Sequence, residues 1–264
     1  MELGLKGRVA IVGGSSKGIG YATAQALAAE GAAITIVARN QDDLNKSAAI
    51  LREESGSSDV LAIAGDLSDK TTIQAVFSAT QERWNRVDVV INNLGGPPPG
   101  ELMDFHDNDW QNAFNLNFNS ARWLNELVLP GMRERRYGRI VSVLSKTIKE
   151  PEDRLGLSTV ARTALAAYAK LLALEVANDG VTVNNVLPGS VETERLRSVI
   201  EAQAKASGRS VPDQRASRLA SVPAGRFGAA HEVADLIAFL ASDRAAFITG
   251  QNIAIEGGQL KAMG

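Results

Sequence analysis

The residues whose types and spacing point to chemistry begin at Gly13. Residues 8–30, RVAIVGGSSKGIGYATAQALAAE, run from an apolar segment into a loop holding Gly13, Gly14, Gly18 and Gly20, then into an alanine-rich segment of helical composition from Tyr21 onward. Glycine suits such a turn because the chain must adopt backbone angles closed to other residues and come close to a ligand. A helix starting directly after the turn aims its unpaired N–H groups, and the positive end of its dipole, at whatever sits above. A pyrophosphate fits that description. The spacing of Gly14, Gly18 and Gly20 departs from G-x-G-x-x-G, and no Lys-Ser or Lys-Thr follows Gly18, which excludes a P-loop. The same letters carry a rival, because Gly14-Ser15-Ser16-Lys17-Gly18 matches G-x-S-x-G, the elbow that holds a hydrolase nucleophile. On the loop alone, dinucleotide binding, the elbow and a merely structural turn all stand.

Other chemistry is limited by what is missing. The chain has no cysteine, so thiolate metal sites and disulfides are impossible, and its two histidines, His106 and His231, lie far apart near expected helix starts and read as solvated surface residues. No metal site is expected. A net charge of -2 with 22% charged residues gives no reason to expect nucleic acid or an anionic membrane as partner. The start MELGLKGR lacks the apolar stretch of a signal peptide, and no segment approaches a membrane span, so a cytoplasmic location is expected.

The elements that must position these residues alternate. Residues 9–12, 33–38, 60–64, 87–91, 139–144, 181–187 and 252–255 read as strands, with helices over 42–54 (capped by Asn40, ended by Gly56), through Trp84, from Asp107 or Asp109 to Arg136, over 155–178 and over 232–241. The strands are apolar on both faces and the loops are short, which predicts one α/β domain over residues 1–264 with a parallel sheet covered on both sides. GGPPPG at 95–100, Ser145-Lys146-Thr147 and Pro188-Gly189 all fall at carboxyl ends of strands, the edge where open α/β sheets bind ligands. Residues 191–227 loosen into polar, arginine-rich helical pieces and read as a mobile lid over that edge.

GGSSKGIG at 13–20, Asp66-Leu67, Asn92-Asn93-Leu94-Gly95, VTVNNVLPG at 181–189 with Thr193 after it, and the ending ITGQNIAIEGG occur in an order and spacing that resemble the short-chain dehydrogenase/reductase family, its 3-oxoacyl-ACP reductases included. The likeness extends over essentially the whole chain. It implies a Rossmann fold with a seven-stranded, doubly wound parallel sheet, a nicotinamide dinucleotide and a homotetramer or homodimer, and it removes the hydrolase elbow. By analogy the turn from Gly14 through Ser15, Ser16, Lys17, Gly18 and Ile19 to Gly20 would hold the pyrophosphate. Asp66 and Leu67 would take the adenine, Asn93 and Gly95 the adjoining ribose, and Pro188, Gly189, Val191 and Thr193 the nicotinamide amide. Arg39 ends the second strand where an NAD-binding protein carries an acid for the ribose 2′-hydroxyl; a guanidinium there suits a 2′-phosphate, and Lys17 adds a second charge. NADP(H) is therefore expected over NAD(H), which stays possible.

The family's chemistry uses an Asn, a Ser and a Tyr-x-x-x-Lys pair. Asn117 in FNLNFNS and Ser145, seven residues after Gly138, match the first two. Anchored on LALEVANDGVTVNNVLPG, the tyrosine position falls on Ser158 and the lysine position on Arg162. A spacing of four still puts both on one helix face. Serine is a far weaker acid than a phenol, and arginine does not readily relay a proton. Neither Tyr137 nor Tyr168 restores the pattern, since Leu172 rather than lysine lies four residues after Tyr168. Two readings follow. One is an NADPH-dependent reductase of a small carbonyl substrate, a 3-oxoacyl thioester or another ketone, in which Ser145 and Ser158 orient the carbonyl, Arg162 stabilises the oxyanion and water near Asn117 supplies the proton. The other is a dinucleotide-binding or assembly subunit with little turnover. Arg195, Arg197, Arg209, Arg215 and Arg218 hint at tolerance for an anionic group, and Leu124, Leu127, Val128, Leu165, Leu171 and Leu172 are expected to include a subunit contact.

Overall fold

A computed structural model describes residues 2–56 and 59–261. The β-branched runs pair into one sheet: β1 (Val9–Gly13), β2 (Ala33–Ala38), β3 (Val60–Ala64), β4 (Val89–Asn92), β5 (Gly138–Val143), β6 (Val181–Pro188) and β7 (Asn252–Ile255). Their order is β3-β2-β1-β4-β5-β6-β7 and every pairing is parallel, so the expected seven-stranded doubly wound sheet is found. The helices are α1 (Gly18–Ala29), α2 (Gln41–Ser55), α3 (Lys70–Trp84), α4 (Asp107–Phe114), α5 (Ser120–Glu134), α6 (Gly156–Val176), α7 (Glu194–Ser207), α8 (Val211–Ala220) and α9 (Ala230–Ala241).

Each sheet face has its own core. Leu27 of α1, Leu44 of α2 and Ile237 of α9 pack with Ile34 and Ile36 on one side; Val76 of α3, Met132 of α5 and Val176 of α6 pack with Ile11 and Ile140 on the other. Burial on both faces is why the strands carry continuous apolar runs rather than alternation. Asn40 caps α2 by accepting from the Asp43 N–H, and Gly56 closes it in the left-handed conformation, as the sequence predicts.

The expected single helix from about Asp107 to Arg136 is interrupted. Residues Asn115–Asn119 form a π-helical segment between α4 and α5. At its centre, buried Asn117 donates from Nδ2 to the Gly95 carbonyl at 2.9 Å, which draws the chain toward the loop after β4. Such bulges insert a residue without ending a helix, so apolar periodicity conceals them.

The leucines offered as a subunit contact are mostly interior. Leu124, Val128, Leu165 and Leu172 are buried in this chain's own core, whereas Leu171 and Leu174 on the outer face of α6 are 63% and 69% exposed. Residues 191–227 hold α7 and α8, and a bridge between Val191 and Gly228 pins the base of the segment. Among the described residues no helix is long and apolar enough to cross a membrane.

Candidate active site

A cleft of about 1090 Å³ runs along the carboxyl ends of the strands, where strand order reverses between β1 and β4. One end is built on the turn between β1 and α1. Gly14 and Gly18 adopt positive φ (57° and 60°), and a Cβ on Gly20 would lie 2.3 Å from the Gly14 carbonyl oxygen, so a side chain there collides with backbone. Asn93 Nδ2 donates to the Gly13 and Gly14 carbonyls at 3.1 and 3.4 Å, tying the end of β4 to the turn. No side chain caps α1, which leaves its first N–H groups for a ligand. These features fit a pyrophosphate.

Of the residues expected to hold a coenzyme, Gly14, Ser16, Lys17, Gly18, Ile19, Arg39, Asp66, Leu67, Asn93, Gly95, Pro188, Gly189, Val191 and Thr193 line the cleft. Ser15 and Gly20 do not. Ser15 is fully buried beneath the turn, where its hydroxyl donates to the Val12 carbonyl and accepts the Val37 N–H, each at 2.8 Å; it locks the turn onto β1 and β2. The two cations expected near a 2′-phosphate also part. Lys17 forms an ion pair with Glu194 in the first turn of α7, while exposed Arg39, at the cleft's mouth, has no hydrogen bond or ion pair among the described residues.

At the other end Ser145, Ser158 and Arg162 share the wall. Ser145 follows β5, and its Oγ accepts from the Thr147 N–H at 3.1 Å. Ser158 and Arg162, one turn apart on α6, are both buried, and Arg162 Nε donates to Ser158 Oγ at 3.2 Å. The guanidinium also donates to the carbonyls of Val143 (2.7 Å), Leu144 (3.0 Å) and Leu94 (3.3 Å), fastening α6 to the ends of β4 and β5. Burial, with a smaller contribution from the Arg195 charge, pulls its pKa down from 12.5 to about 10. No carboxylate faces it among the described residues. Asn117 stands just behind the wall, with Oδ1 buried and unpartnered.

Sequence reasoning missed the framework of this end. Lys146 Nζ lies 2.6 Å from Glu152 Oε1, and Arg218 Nη2 lies 3.0 Å from Glu152 Oε2, joining the loop after β5, the loop before α6 and α8. Burial alone would raise the Glu152 carboxyl, but the charge of Arg218 and the hydrogen bond from Lys146 outweigh it and hold it below the ordinary value. Nothing in the spacing of 146, 152 and 218 signals the contact. Among the described residues no cluster of His, Asp or Glu is arranged to hold a metal ion.

Comparison with known proteins agrees with this architecture. The family model described as Enoyl-(Acyl carrier protein) reductase matches residues 14–259. The chain is 35% identical to the 3-oxoacyl-[acyl-carrier-protein] reductase FabG of Escherichia coli (strain K12) over 261 residues, covering 97% of this chain and 98% of that protein. It is 34% identical to the monensin polyketide synthase putative ketoacyl reductase of Streptomyces virginiae, over 95% of this chain and 96% of that one. Among solved structures, L-sorbose reductase from Gluconobacter frateurii, complexed with NADPH and L-sorbose, superposes with a TM-score of 0.91 at 32% identity and full coverage of both chains. The sheet order, the glycine turn and relatives matched from end to end together establish that the chain belongs to the short-chain dehydrogenase/reductase family.

Proposed function

We propose that the protein is an NADP(H)-dependent reductase of ketones in which Ser158 and Arg162 stand in place of the family's tyrosine and lysine. The observation that carries this reading is the continuity of the cleft: the glycine turn at one end and the Ser145, Ser158 and Arg162 cluster at the other share one wall. Arg39, free at the mouth, supports recognition of a 2′-phosphate and so NADPH over NADH. Relatives and structural neighbours named as reductases, one of them holding NADPH, support the same class.

The nicotinamide, when bound, supplies the hydride. Ser145 Oγ and Ser158 Oγ, on facing elements, orient the substrate carbonyl by hydrogen bonds. Arg162 holds positive charge in a buried wall where little water screens it, and so stabilises the oxygen as it becomes anionic. Its own proton stays in place at neutral pH, since the guanidinium still titrates near 10. The proton for the product oxygen arrives through water, for which the unpartnered Asn117 Oδ1 offers an acceptor. The helices of 191–227 act as the lid, and a second copy covers the exposed Leu171 and Leu174 face in a homodimer or homotetramer; light scattering that returns a monomer refutes the assembly.

One observation favours a second reading, a coenzyme-binding subunit with little turnover: four of the Arg162 hydrogen bonds go to protein groups. The test separates them. NADPH fluorescence measures binding, and a screen of ketones, diketones and acyl thioesters for loss of nicotinamide absorbance measures turnover. Binding with turnover supports the reductase; binding without any turnover supports the second reading; absence of binding refutes both.

A further inference from the structure

We infer that the substrate end of the cleft receives an anion, so that the carbonyl substrate carries a carboxylate or phosphate group, and that Arg195 is the residue that reads it. This rests on the reductase reading above and names its substrate class.

The lid's arginines divide by their partners. Arg215 and Arg197 both face Glu192, at 2.6 and 3.7 Å, and Arg218 faces Glu152 at 3.0 Å. Arg209 is exposed and off the cleft wall. Arg195 alone of the five lines the cleft with no carboxylate partner among the described residues. Its guanidinium lies against the loop after β4: Nη2 donates to the Pro97 carbonyl at 2.9 Å and stands 2.6 Å from where a Cβ on Gly96 would be. Among the described residues that is the only hydrogen bond made by a group with five N–H donors. The residue stays open to solvent at the cleft, and the partial desolvation of its guanidinium lowers its pKa.

Its neighbour makes the imbalance larger. Arg162, on the same wall, likewise bonds only to carbonyls and a hydroxyl, and the two charges repel. Glu152 answers Lys146 and Arg218 together with a single charge. Glu192 and Glu194, on the same cleft, are taken up by Arg197, Arg215 and Lys17, so Arg162 and Arg195 add two positive charges that no carboxylate among the described residues pairs with. Arg162 is buried and Arg195 partly exposed, neither has a carboxylate partner among the described residues, and an arriving anion relieves the repulsion between them. Coenzyme phosphates have their own reception elsewhere: the pyrophosphate at the uncapped start of α1, and a 2′-phosphate at Arg39. Thr193, which caps α7, and Glu194 in its first turn are the residues that approach the glycine turn, Thr193 Cγ2 lying 3.5 Å from a Cβ placed on Gly18 and Glu194 pairing with Lys17, whereas Arg195 lies against the loop after β4.

The test uses matched pairs of ligands on enzyme saturated with NADP+, read by calorimetry so that no turnover is needed. Acetoacetate is compared with methyl acetoacetate for a carboxylate, and dihydroxyacetone phosphate with dihydroxyacetone for a phosphate. In at least one pair the charged member should bind at least about tenfold tighter, the scale of a charge-assisted hydrogen bond, and the pair that shows it identifies the anion. Arg195→Gln should reduce that ratio to about unity with NADP+ affinity unchanged, and Arg195→Lys should keep part of it. Equal or tighter binding of the neutral member in both pairs, or no binding of any of the four, overturns the inference. So does a ratio that survives Arg195→Gln. A drop in NADP+ affinity at an unchanged ratio assigns Arg195 to the coenzyme and also overturns it. If wild-type enzyme binds neither NADP+ nor NADPH, the reductase reading fails instead, and the same ratios measured without coenzyme decide the anion site separately. Thermal melts of both variants check folding.

Discussion

Replacing Arg162 by methionine removes four hydrogen bonds of 2.7 to 3.3 Å, and with them the ties between α6 and the ends of β4 and β5. At about 1 kcal/mol for each such bond the loss is roughly 4 kcal/mol. The guanidinium's pKa of about 10, against 12.5 unperturbed, measures an opposing quantity. At 1.36 kcal/mol per pH unit, burial makes the charged form costly by about 3 kcal/mol, which methionine relieves. The net expectation is a modest loss of about 1 kcal/mol, or a melting temperature lower by roughly 2–4 °C for a chain of this size. Turnover should behave differently. A donor that faces the developing oxyanion is worth about a hundredfold or more in kcat, so Arg162→Met should retain its fold and lose its rate.

Two measurements on one preparation test this: thermal denaturation at pH 7 and single-turnover oxidation of NADPH with whichever ketone the wild type reduces fastest. Arg162→Lys separates charge from shape, because it keeps the cation but gives up the planar fork; it should lie between methionine and wild type in rate. A fall in melting temperature well beyond about 10 °C would show that the carbonyls of Leu94, Val143 and Leu144 dominate and that Arg162 is a structural tie first. An unchanged rate in Arg162→Met would remove the guanidinium from the mechanism outright.

Ser145→Ala should depress turnover by about a hundredfold with coenzyme affinity unaltered, and equal rates would exclude that hydroxyl. Arg39→Asp should shift preference from NADPH toward NADH by at least about tenfold, measured as the ratio of the two dissociation constants; a constant ratio places phosphate recognition elsewhere. Gly20→Ala puts a Cβ 2.3 Å from a backbone oxygen and 2.6 Å from Asn93 Nδ2, so coenzyme binding should be lost while Ala28→Gly, away from the turn, keeps it. Glu152→Gln should lower stability by about 2 kcal/mol at pH 7, since Lys146 and Arg218 lose a partly buried partner. The Glu152 carboxyl is held below its ordinary 4.5, so its contribution is complete above that pH and disappears as the pH falls through the lowered value; a gap between variant and wild type that persists in acid contradicts this.

The sheet was legible because its signal is local and repeated. Each strand is an apolar run bounded by turn residues, and burial on both faces forces that pattern wherever a strand lies in a doubly wound sheet. Helix caps such as Asn40 and Gly56 were equally readable, since a cap's partner lies within four residues. The π-helical segment was not. It coincides with a bond from Asn117 to Gly95, 22 positions away, and no periodicity within 107–136 records it. Which leucines face outward was hidden for a related reason: α6 is apolar nearly all round, so composition cannot say which leucines face this chain's core and which, like Leu171, face outward.

For the site, the sequence supplied the residues and withheld their partners. Glycine positions carry their reason with them, because a positive φ or a close approach is a property of the turn itself. A charged residue's role is set by what lies opposite, and that comes from distant segments. Lys17, Arg197, Arg215 and Arg218 look as available as Arg39 and Arg195 until Glu194, Glu192 and Glu152 are brought against them. Folding therefore acts as a filter on charge: it neutralises the cations that staple the lid to the turn and to the loop before α6, and among the described residues lining the cleft it leaves without a carboxylate partner Arg39 at one end and the Arg162 and Arg195 pair at the other. Those two ends are separated by the stretch a dinucleotide would fill. An anion at each end, one on the coenzyme and one on the substrate, is the arrangement that leaves no charge on this wall unanswered.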